Sequence, residues 1–403
     1  MKILVLNSGS SSQKSCLYEI GDSLPEHPPN PVWEAKIEWN GSSAAIQVKT
    51  SKGITFNDQA NVATRSHALD HLVRSLWEGD ARTVEQPSEI RAVGHRIVLG
   101  GHTLEKPVIV NDEVKRAIGS VSAFAPLHNR AELEGIEAME RLLERVPQVA
   151  VFDTAFHHHL PLAAAVYPGP YEWFERRIRR YGFHGINHQY CAERAAQLLG
   201  RPSDSLRLVS CHLGNGCSLA AIDRGRSVDT TMGFTPLEGL MMGTRSGTVD
   251  PGILTYLIRE KGTDERRLDE LLNNESGLLG VSGVSGDMRE VLKAKESGNQ
   301  RAKLAFDIFV HRLRSGIGSM VAVLGGLDAL IFTAGIGENS EAVRQAACAG
   351  FGYLDLTLDP VRNNQSPVDQ DIAARESAVR VLVIRAQEDW AIARECWRMV
   401  TKS

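Results

Sequence analysis

An α/β protein is what the sequence predicts, from three observations. Short apolar runs alternate with segments of helical spacing, two strand–polar turn–strand units open at Ile3 and Leu206, and no low-complexity tract or short repeat interrupts the pattern. The chain has 403 residues, enough for two or three domains and for a large core that needs no disulfide or metal staple.

The apolar run 3–6 ends at a small polar turn, NSGSSS at 7–12, and the alternating stretch 14–19 follows, which reads as a β-hairpin. Residues 26–32 are a proline-rich surface loop rather than a linker. Residues 132–146 carry Leu133, Ile136, Met139 and Leu143 at helical spacing, and 149–153 follow as a strand. Asn187 is expected to cap a helix ending near Gly200. Residues 206–210, the turn HLGNG at 212–216 and the run 217–222 repeat the strand–turn–strand of the N-terminus. That repetition predicts a duplicated architecture with one unit opening each half; two unrelated hairpins are the alternative. Residues 301–324 read as a long helix closed by Gly325 and Gly326, 328–333 as a buried strand, and 388–399 as a last helix.

Composition excludes several classes. The chain is 42% hydrophobic and 23% charged, with 45 basic against 49 acidic residues, so it offers no broad electrostatic reason to bind nucleic acid or an anionic membrane. A local basic cleft stays open. The apolar run at the N-terminus is too short for a signal-peptide core, and no stretch is apolar enough to span a membrane. Six cysteines without a CxxC pair read as reduced thiols. The expectation is a soluble cytoplasmic enzyme.

The strongest local chemical signal is TAGIGENS at 333–340, read as a glycine turn between a buried strand and a helix capped by Ser340 or Asn339. Glycine lets backbone approach a ligand, and a helix N-terminus favours negative charge. It is not a dinucleotide fingerprint, because Ser340 takes the third glycine position, and no P-loop motif occurs. A purely structural turn is the competing reading. Three such turns follow apolar strands, at 7–12, 212–216 and 335–339. If the strands share a cleft, their N–H groups converge on a polyphosphate, with Lys14 adding a compact positive charge.

A second set supplies arginine, histidine and carboxylate: Gly94-His95-Arg96, Pro126-Leu127-His128-Asn129, Phe152-Asp153 with His157, Tyr181 to Gly185 around His184, and Gly243-Thr244-Arg245-Ser246-Gly247. Each has a bland alternative as a surface pair, a satisfied core histidine or a turn cap. Together they suit phosphoryl transfer onto an acid, where arginine neutralises oxygens, histidine donates to them, and a carboxylate organises the site. The run His157-His158-His159 and the i,i+4 pair His184/His188 resemble metal ligands, but neither HExxH nor cysteine spacing supports zinc. No G-x-S-x-G occurs.

Taken in order, VLNSGSSS (5–12), VGHRIV (93–98), APLHN (125–129), VFDTAFH (151–157), RYGFHG (180–185), HLGNG (212–216), SVDTTMGFTPLEGL (227–240), MGTRSG (242–247) and FTAGIGENS (332–340) resemble the acetokinase family nearly end to end. That family lies within the sugar kinase/heat-shock-70/actin superfamily. The resemblance implies a two-domain actin-like ATPase (ribonuclease H-like) fold with duplicated mixed sheets and an interdomain cleft. Its N-terminal domain would be 1–154, completed by the C-terminal helix 389–403, and its nucleotide-binding domain 155–388. It implies direct in-line transfer between ATP and acetate, giving ADP and acetyl phosphate, with Mg2+ or Mn2+ and a homodimeric assembly. A propionate or butyrate kinase, or a non-catalytic nucleotide-binding protein of the same fold, is the alternative.

By motif, the resemblance assigns Arg96 and Arg245 to the acyl carboxylate and the transferring phosphoryl, and His184 and Arg245 to the transition state. His128 lines the site. Asp153 stands at the acid/base position; since a carboxylate substrate is already ionised, its expected role is to orient arginine or metal. Val98, Leu127, Phe183 and Pro236 would form a small apolar acyl pocket that favours acetate. Asn7 and Glu388 match metal-associated positions. Lys14, His212, Leu213, Gly214, Asn215, Gly216, Asp287, Met288, Arg289, Gly335, Ile336, Gly337, Glu338 and Asn339 match nucleotide segments. The chain departs from the family at Leu99, at Arg130-Ala131-Glu132, at Thr248, at His158-His159 and around Ala386-Gln387-Glu388-Asp389.

Overall fold

The computed structural model describes residues 1–8, 12–40, 43–61, 65–121 and 129–401. They form two units, Met1–His158 with Gln387–Ser403, and His159–Ala386.

In the first unit the strands are β1 (Lys2–Ser8), β2 (Ser12–Glu19), β3 (Trp33–Asn40), β4 (Ser43–Thr50), β5 (Thr55–Asn61), β6 (Ile90–Ile97), β7 (Val108–Ile109) and β8 (Gln148–Phe152). They make one sheet in the order β5-β4-β3-β2-β1-β6-β8-β7. The expected hairpin is present: β1 and β2 pair antiparallel with Asn7 opposite Lys14. β6 lies parallel to β1, and β8 parallel to β6. Strands β3 to β5 extend the sheet antiparallel and had no counterpart in the sequence reading. Their signal is the two-residue period in which Trp33, Ala35 and Ile37 are buried while Glu34, Lys36 and Glu38 face outward. The helices Arg65–Arg74 and Asn129–Leu142 pack against each other and close one core with Leu4, Leu17, Trp33, Leu69 and Met139. The last helix, Glu388–Thr401, packs on β1 and β6. It comes so near that a Cβ on Gly94 would stand 2.6 Å from both Cys396 Sγ and Ile392 Cγ2.

The second unit contains β9 (Arg207–Leu213), β10 (Cys217–Asp223), β11 (Arg226–Thr230), β12 (Ala329–Thr333), β13 (Gln370–Asp371) and β14 (Arg380–Val383), ordered β11-β10-β9-β12-β14-β13. The two sheets share a plan: an antiparallel meander (β1–β3 and β9–β11), two parallel strands added beside its first strand, and a two-residue edge strand antiparallel to the last, with β4 and β5 lengthening the meander of the first sheet alone. The repetition gives the duplicated mixed-sheet architecture expected from the sequence.

Local details differ from the sequence reading in two places. Asn187 does not cap a helix. The helix Gly185–Leu199 starts from His184, whose φ of 57° is left-handed, and Asn187 is buried within its first turn. Residues 334–339 are not an open glycine turn. Ala334–Asn339 is a short helix of its own, and Ser340 caps the next one, Glu341–Cys348, accepting from Val343 N at 3.3 Å. The long helix is Gln300–Leu324, capped by Asn299 and ended by Gly325 at φ 65°. None of the six cysteines forms a disulfide among the described residues, and all six are buried. No helix among the described residues is long and apolar enough to cross a membrane.

Candidate active-site groups

In the first unit, parallel pairing sets Arg96 beside Val151 and Ile97 beside Phe152, so Arg96 and Asp153 come to the same carboxyl edge of β6 and β8. Arg96 Nη2 donates to Asp153 Oδ2 at 2.5 Å and Nη1 to the Ser8 carbonyl at 3.2 Å. Arg96 Nε and Asp153 Oδ1 have no hydrogen-bond partner among the described residues. Burial works against the guanidinium charge, but Asp153, Glu388 and Glu132 outweigh it and hold the group firmly protonated. Such a pair, with one polar atom of each member open, is built to meet a third group.

Around it, Glu132 directs both oxygens at the Val98 N–H, at 3.2 and 3.1 Å, and burial pushes its carboxyl up to about 8 against the pull of Arg96 and of that N–H. Val98 is buried, and Asn129 Nδ2 holds the Leu99 carbonyl at 3.1 Å. Asn7 Nδ2 donates to Glu388 at 3.4 Å and to Asp389 at 2.9 Å. Burial raises the Glu388 carboxyl, with Arg96 opposing and Asp153 and Asp389 adding to the rise. Lys14, expected at a polyphosphate, pairs with Asp389 at 2.6 Å; desolvation opposes its charge, and Asp389 more than restores it. Leu127 and His128 lie outside the described residues.

In the second unit, His184, His212, Gly216 and Arg245 come together. The rings of His184 and His212 stack with centroids 3.9 Å apart and planes 10° from parallel. A Cβ on Gly216 would stand 3.4 Å from His184 Nε2 and 3.5 Å from Arg245 Nη1, so glycine leaves that corner open between them. Arg245 Nη1 donates to the Pro236 carbonyl at 3.0 Å, and Phe183 is buried beside His184 in sequence. The Gly243 N–H donates to the Asn215 carbonyl at 3.1 Å, and a Cβ on Gly243 would reach to 3.0 Å from the Gly286 carbonyl. That close approach gathers the 212–216 loop, the Arg245 loop and the turn before Asp287 into one neighbourhood.

Of the expected nucleotide residues, Leu213 and Met288 are core side chains, 0% and 3% exposed, so only their backbone can meet a ligand. Asp287 caps the helix Met288–Glu296 and pairs with Arg289 at 2.5 Å. Gly335 has open space where a Cβ would stand, and Ile336 is half-buried. Gly337 presses back on Phe332, Asn339 Nδ2 closes onto the Gly335 carbonyl at 2.9 Å, and Glu338 accepts from Ala386 N at 2.8 Å. Ala334 holds φ 63° at the head of this helix, a conformation costly for a residue with a Cβ.

Sequence reasoning missed Glu132, Asp389, Ser218 and the roles of Asn187 and His188. Asn187 Nδ2 donates to His212 Nδ1 at 2.9 Å, and Ser218 Oγ lies between His184 Nδ1 at 2.9 Å and His188 Nε2 at 2.8 Å. The i,i+4 spacing of His184 and His188 was the visible signal, and it serves a hydrogen-bond chain.

A model of the Acetokinase family matches residues 2–394. A protein from Cyanothece sp. named acetate kinase is 60% identical over 402 residues, covering 99% of this chain and 98% of its own length. Another so named, from Nostoc punctiforme, is 59% identical over 403 residues, covering 99% and 100%. Among solved structures, the acetate kinase of Porphyromonas gingivalis superposes with a TM-score of 0.91 at 37% identity over 99% of both chains. A propionate kinase from Francisella tularensis gives 0.90 at 36% identity over 98% of this chain and 99% of its own.

Proposed function

The chain belongs to the acetokinase family and is a phosphotransferase with a carboxyl acceptor, interconverting ATP plus acetate with ADP plus acetyl phosphate; from that premise we propose how its own residues carry the reaction. The fold alone does not separate acetate from propionate, since a solved kinase of each kind is equally near. The full-length relatives at 60% and 59% identity favour acetate.

The observation that carries the mechanism is the buried Arg96–Asp153 pair with Arg96 Nε and Asp153 Oδ1 open. Arg96 binds the acyl carboxylate, and Asp153 orients Arg96 rather than taking a proton. No general base is needed, because a carboxylate oxygen is already a nucleophile at neutral pH. That oxygen forms the new bond to the γ-phosphorus as the bond from phosphorus to the β–γ bridging oxygen breaks, and ADP leaves with the electron pair. In the second unit, His184 and Arg245 donate to the equatorial oxygens of the transferring group, where charge develops. The family motifs assign Val98, Phe183 and Pro236 to the acyl methyl group; Leu127 and His128, assigned with them, lie outside the described residues. The loops at 212–216, 287–289 and 335–339 hold the nucleotide.

Asn7 and Glu388 suit a hard divalent cation: each side chain carries an oxygen, the two meet where Asn7 Nδ2 donates to Glu388 Oε2 at 3.4 Å, and Asp153 Oδ1 is a buried oxygen without a partner among the described residues. Mg2+, or Mn2+ in its place, would neutralise phosphate charge when bound there. The partner we infer for the helix Pro251–Lys261 is a second copy of the chain, because that helix exposes Ile253, Tyr256 and Ile258 at 48%, 48% and 52%. The balanced charge and six cysteines outside disulfides support a cytoplasmic setting.

The test is acyl-hydroxamate formation with Mg-ATP and acetate, propionate or butyrate in parallel. The expected result is the highest kcat/KM on acetate, with propionate lower by about 10–200-fold, the discrimination one methylene supports. A propionate or butyrate optimum overturns the pocket assignment, and no acyl phosphate from any of them overturns the mechanism.

A further inference from the structure

His184 presents two different nitrogens to two different surroundings. Its Nε2 edge borders the corner left open by Gly216 beside Arg245, and its Nδ1 turns inward to Ser218 Oγ at 2.9 Å. Behind Ser218 the chain continues inward. His188 Nε2 meets the same hydroxyl at 2.8 Å, and His188 Nδ1 meets Ser210 Oγ at 2.9 Å. Ser210, Ser218 and His188 are each 0% exposed. Ser218 and Ser210 sit on adjacent strands β10 and β9, and His188 stands one helical turn beyond His184, so the fold itself aligns the four groups.

Proton counting selects one order. A serine hydroxyl has one proton, and a neutral imidazole has one N–H and one bare nitrogen. If Ser210 donates to His188 Nδ1, then His188 Nε2–H donates to Ser218, Ser218 donates to His184 Nδ1, and the proton of His184 must sit on Nε2. Every proton from Ser210 to His184 Nδ1 then has an acceptor within the chain, and the His184 Nε2–H is turned to the corner beside Gly216. Any reversed order, or a charged His188, leaves the Ser210 proton buried with no acceptor among the described residues. Protonating His184 on both nitrogens leaves the Ser218 proton stranded in the same way. Buried donors without acceptors are costly and rare.

We infer that Ser210, His188 and Ser218 are positioning residues that fix His184 as the Nε2–H tautomer and keep its ring neutral, so that a preset N–H donor faces the transferring phosphoryl group. This rests on the reading that His184 acts on that group. The stack on His212, whose own Nδ1 is held by Asn187, fixes the plane in which the donor points. Charged and titratable groups near the ring include His188 on its own helix, His212 on β9 and Arg245 in the neighbouring loop, with Cys217 on β10 beside Gly216 in sequence. The Cys217 thiol is pushed up to about 12 by burial and stays neutral. Arg245, a fixed cation, further discourages a second proton on His184.

The test is nitrogen-15 NMR of the imidazole-labelled full chain, with His184→Gln and His188→Gln used to assign the two rings. At neutral pH both rings should show a protonated Nε2 and a bare Nδ1, and His184 should stay neutral as the pH falls through the ordinary histidine midpoint of about 6.5. Ser218→Ala should let His184 titrate near that ordinary midpoint and lower kcat by tenfold or more with KM for acetate within about twofold, while Ser218→Thr restores both. A protonated Nδ1 on either ring, or a Ser218→Ala variant whose His184 titrates as in the parent, overturns the inference. A His184→Gln variant with undiminished kcat would instead overturn the catalytic assignment of His184, whatever the tautomer.

Discussion

Arg96 and Asp153 form a 2.5 Å ion pair in which Asp153 is 1% exposed and each partner keeps one polar atom open. Asp153→Ala should leave a buried guanidinium short of its nearest counter-charge. The stability loss should be about 3–5 kcal/mol, as is typical of a broken buried pair. The kcat/KM for acetate should fall by about 100-fold or more. Denaturant melts with parallel kinetics check both, and an unchanged midpoint would remove the pair from the account of stability.

Arg245 donates to the Pro236 carbonyl and borders the Gly216 corner. Arg245→Ala should lower kcat by about 100–1000-fold, the loss seen when a donor to transition-state charge is removed. Nucleotide affinity, measured by titration calorimetry with ADP, should change little. Undiminished kcat is the result that removes Arg245 from the chemistry.

Val98 is buried, with its N–H held by both oxygens of Glu132. Val98→Ala should open room for one more carbon and raise the kcat/KM ratio of propionate to acetate by about tenfold. Hydroxamate kinetics on the two acids read it directly, and a ratio that does not rise means the acyl chain lies elsewhere.

Glu132 carries a stability cost that depends on pH. Burial raises its carboxyl from 4.5 to about 8, despite Arg96 and the Val98 N–H. Between those values the folded chain keeps a proton that the unfolded chain has released, so this group's contribution is fully present below the lower value and is lost as pH rises through the higher one. Glu132→Gln keeps an acceptor for Val98 and cannot ionise. Its Tm relative to the parent should therefore climb between about pH 5 and about pH 8. Parallel Tm curves across that window would sink the assignment.

Gly94 lies under the last helix. Gly94→Ala would bring a methyl group to 2.6 Å from Cys396 Sγ and Ile392 Cγ2, and the strain should cost about 1–3 kcal/mol. Thermal melts check this, and adding Cys396→Ala should return part of the loss.

The fold was legible where local pattern and global role coincide. Polar turns after apolar strands marked β1–β2 and β9–β10, and helical spacing marked Asn129–Leu142 and Gln300–Leu324. β3 to β5 escaped because mixed alternation such as Trp33-Glu34-Ala35-Lys36 is weaker than a continuous apolar run, though it was there to be counted. Asn187 misled because asparagine before a helix is an ordinary cap, and only tertiary placement gives its amide to His212. The glycines at 335 and 337 spoke for a loop, yet packing against β9 and β12 winds them into a helical turn. Arg96 and Asp153 announce themselves as charges at the ends of apolar strands. Glu132 and Asp389 sit in helices, where acidic residues are usually solvated, and nothing local distinguishes a buried carboxylate from an exposed one.

The helix Glu388–Thr401 completes the first unit from the far end of the sequence, covering β1 and β6 and contributing Glu388 and Asp389 beside Asn7. On the ribosome, the first 158 residues emerge without that cover, while residues 159–386 form a continuous unit that has all of its own strands to hand. The apolar face of β1 and β6 must therefore wait, shielded by nascent chain or chaperone, until the last stretch is made. A chain that stops short of Glu388 lacks both the cover of its first sheet and two of the carboxylates around Asn7, which leaves its first unit a substrate for proteolysis.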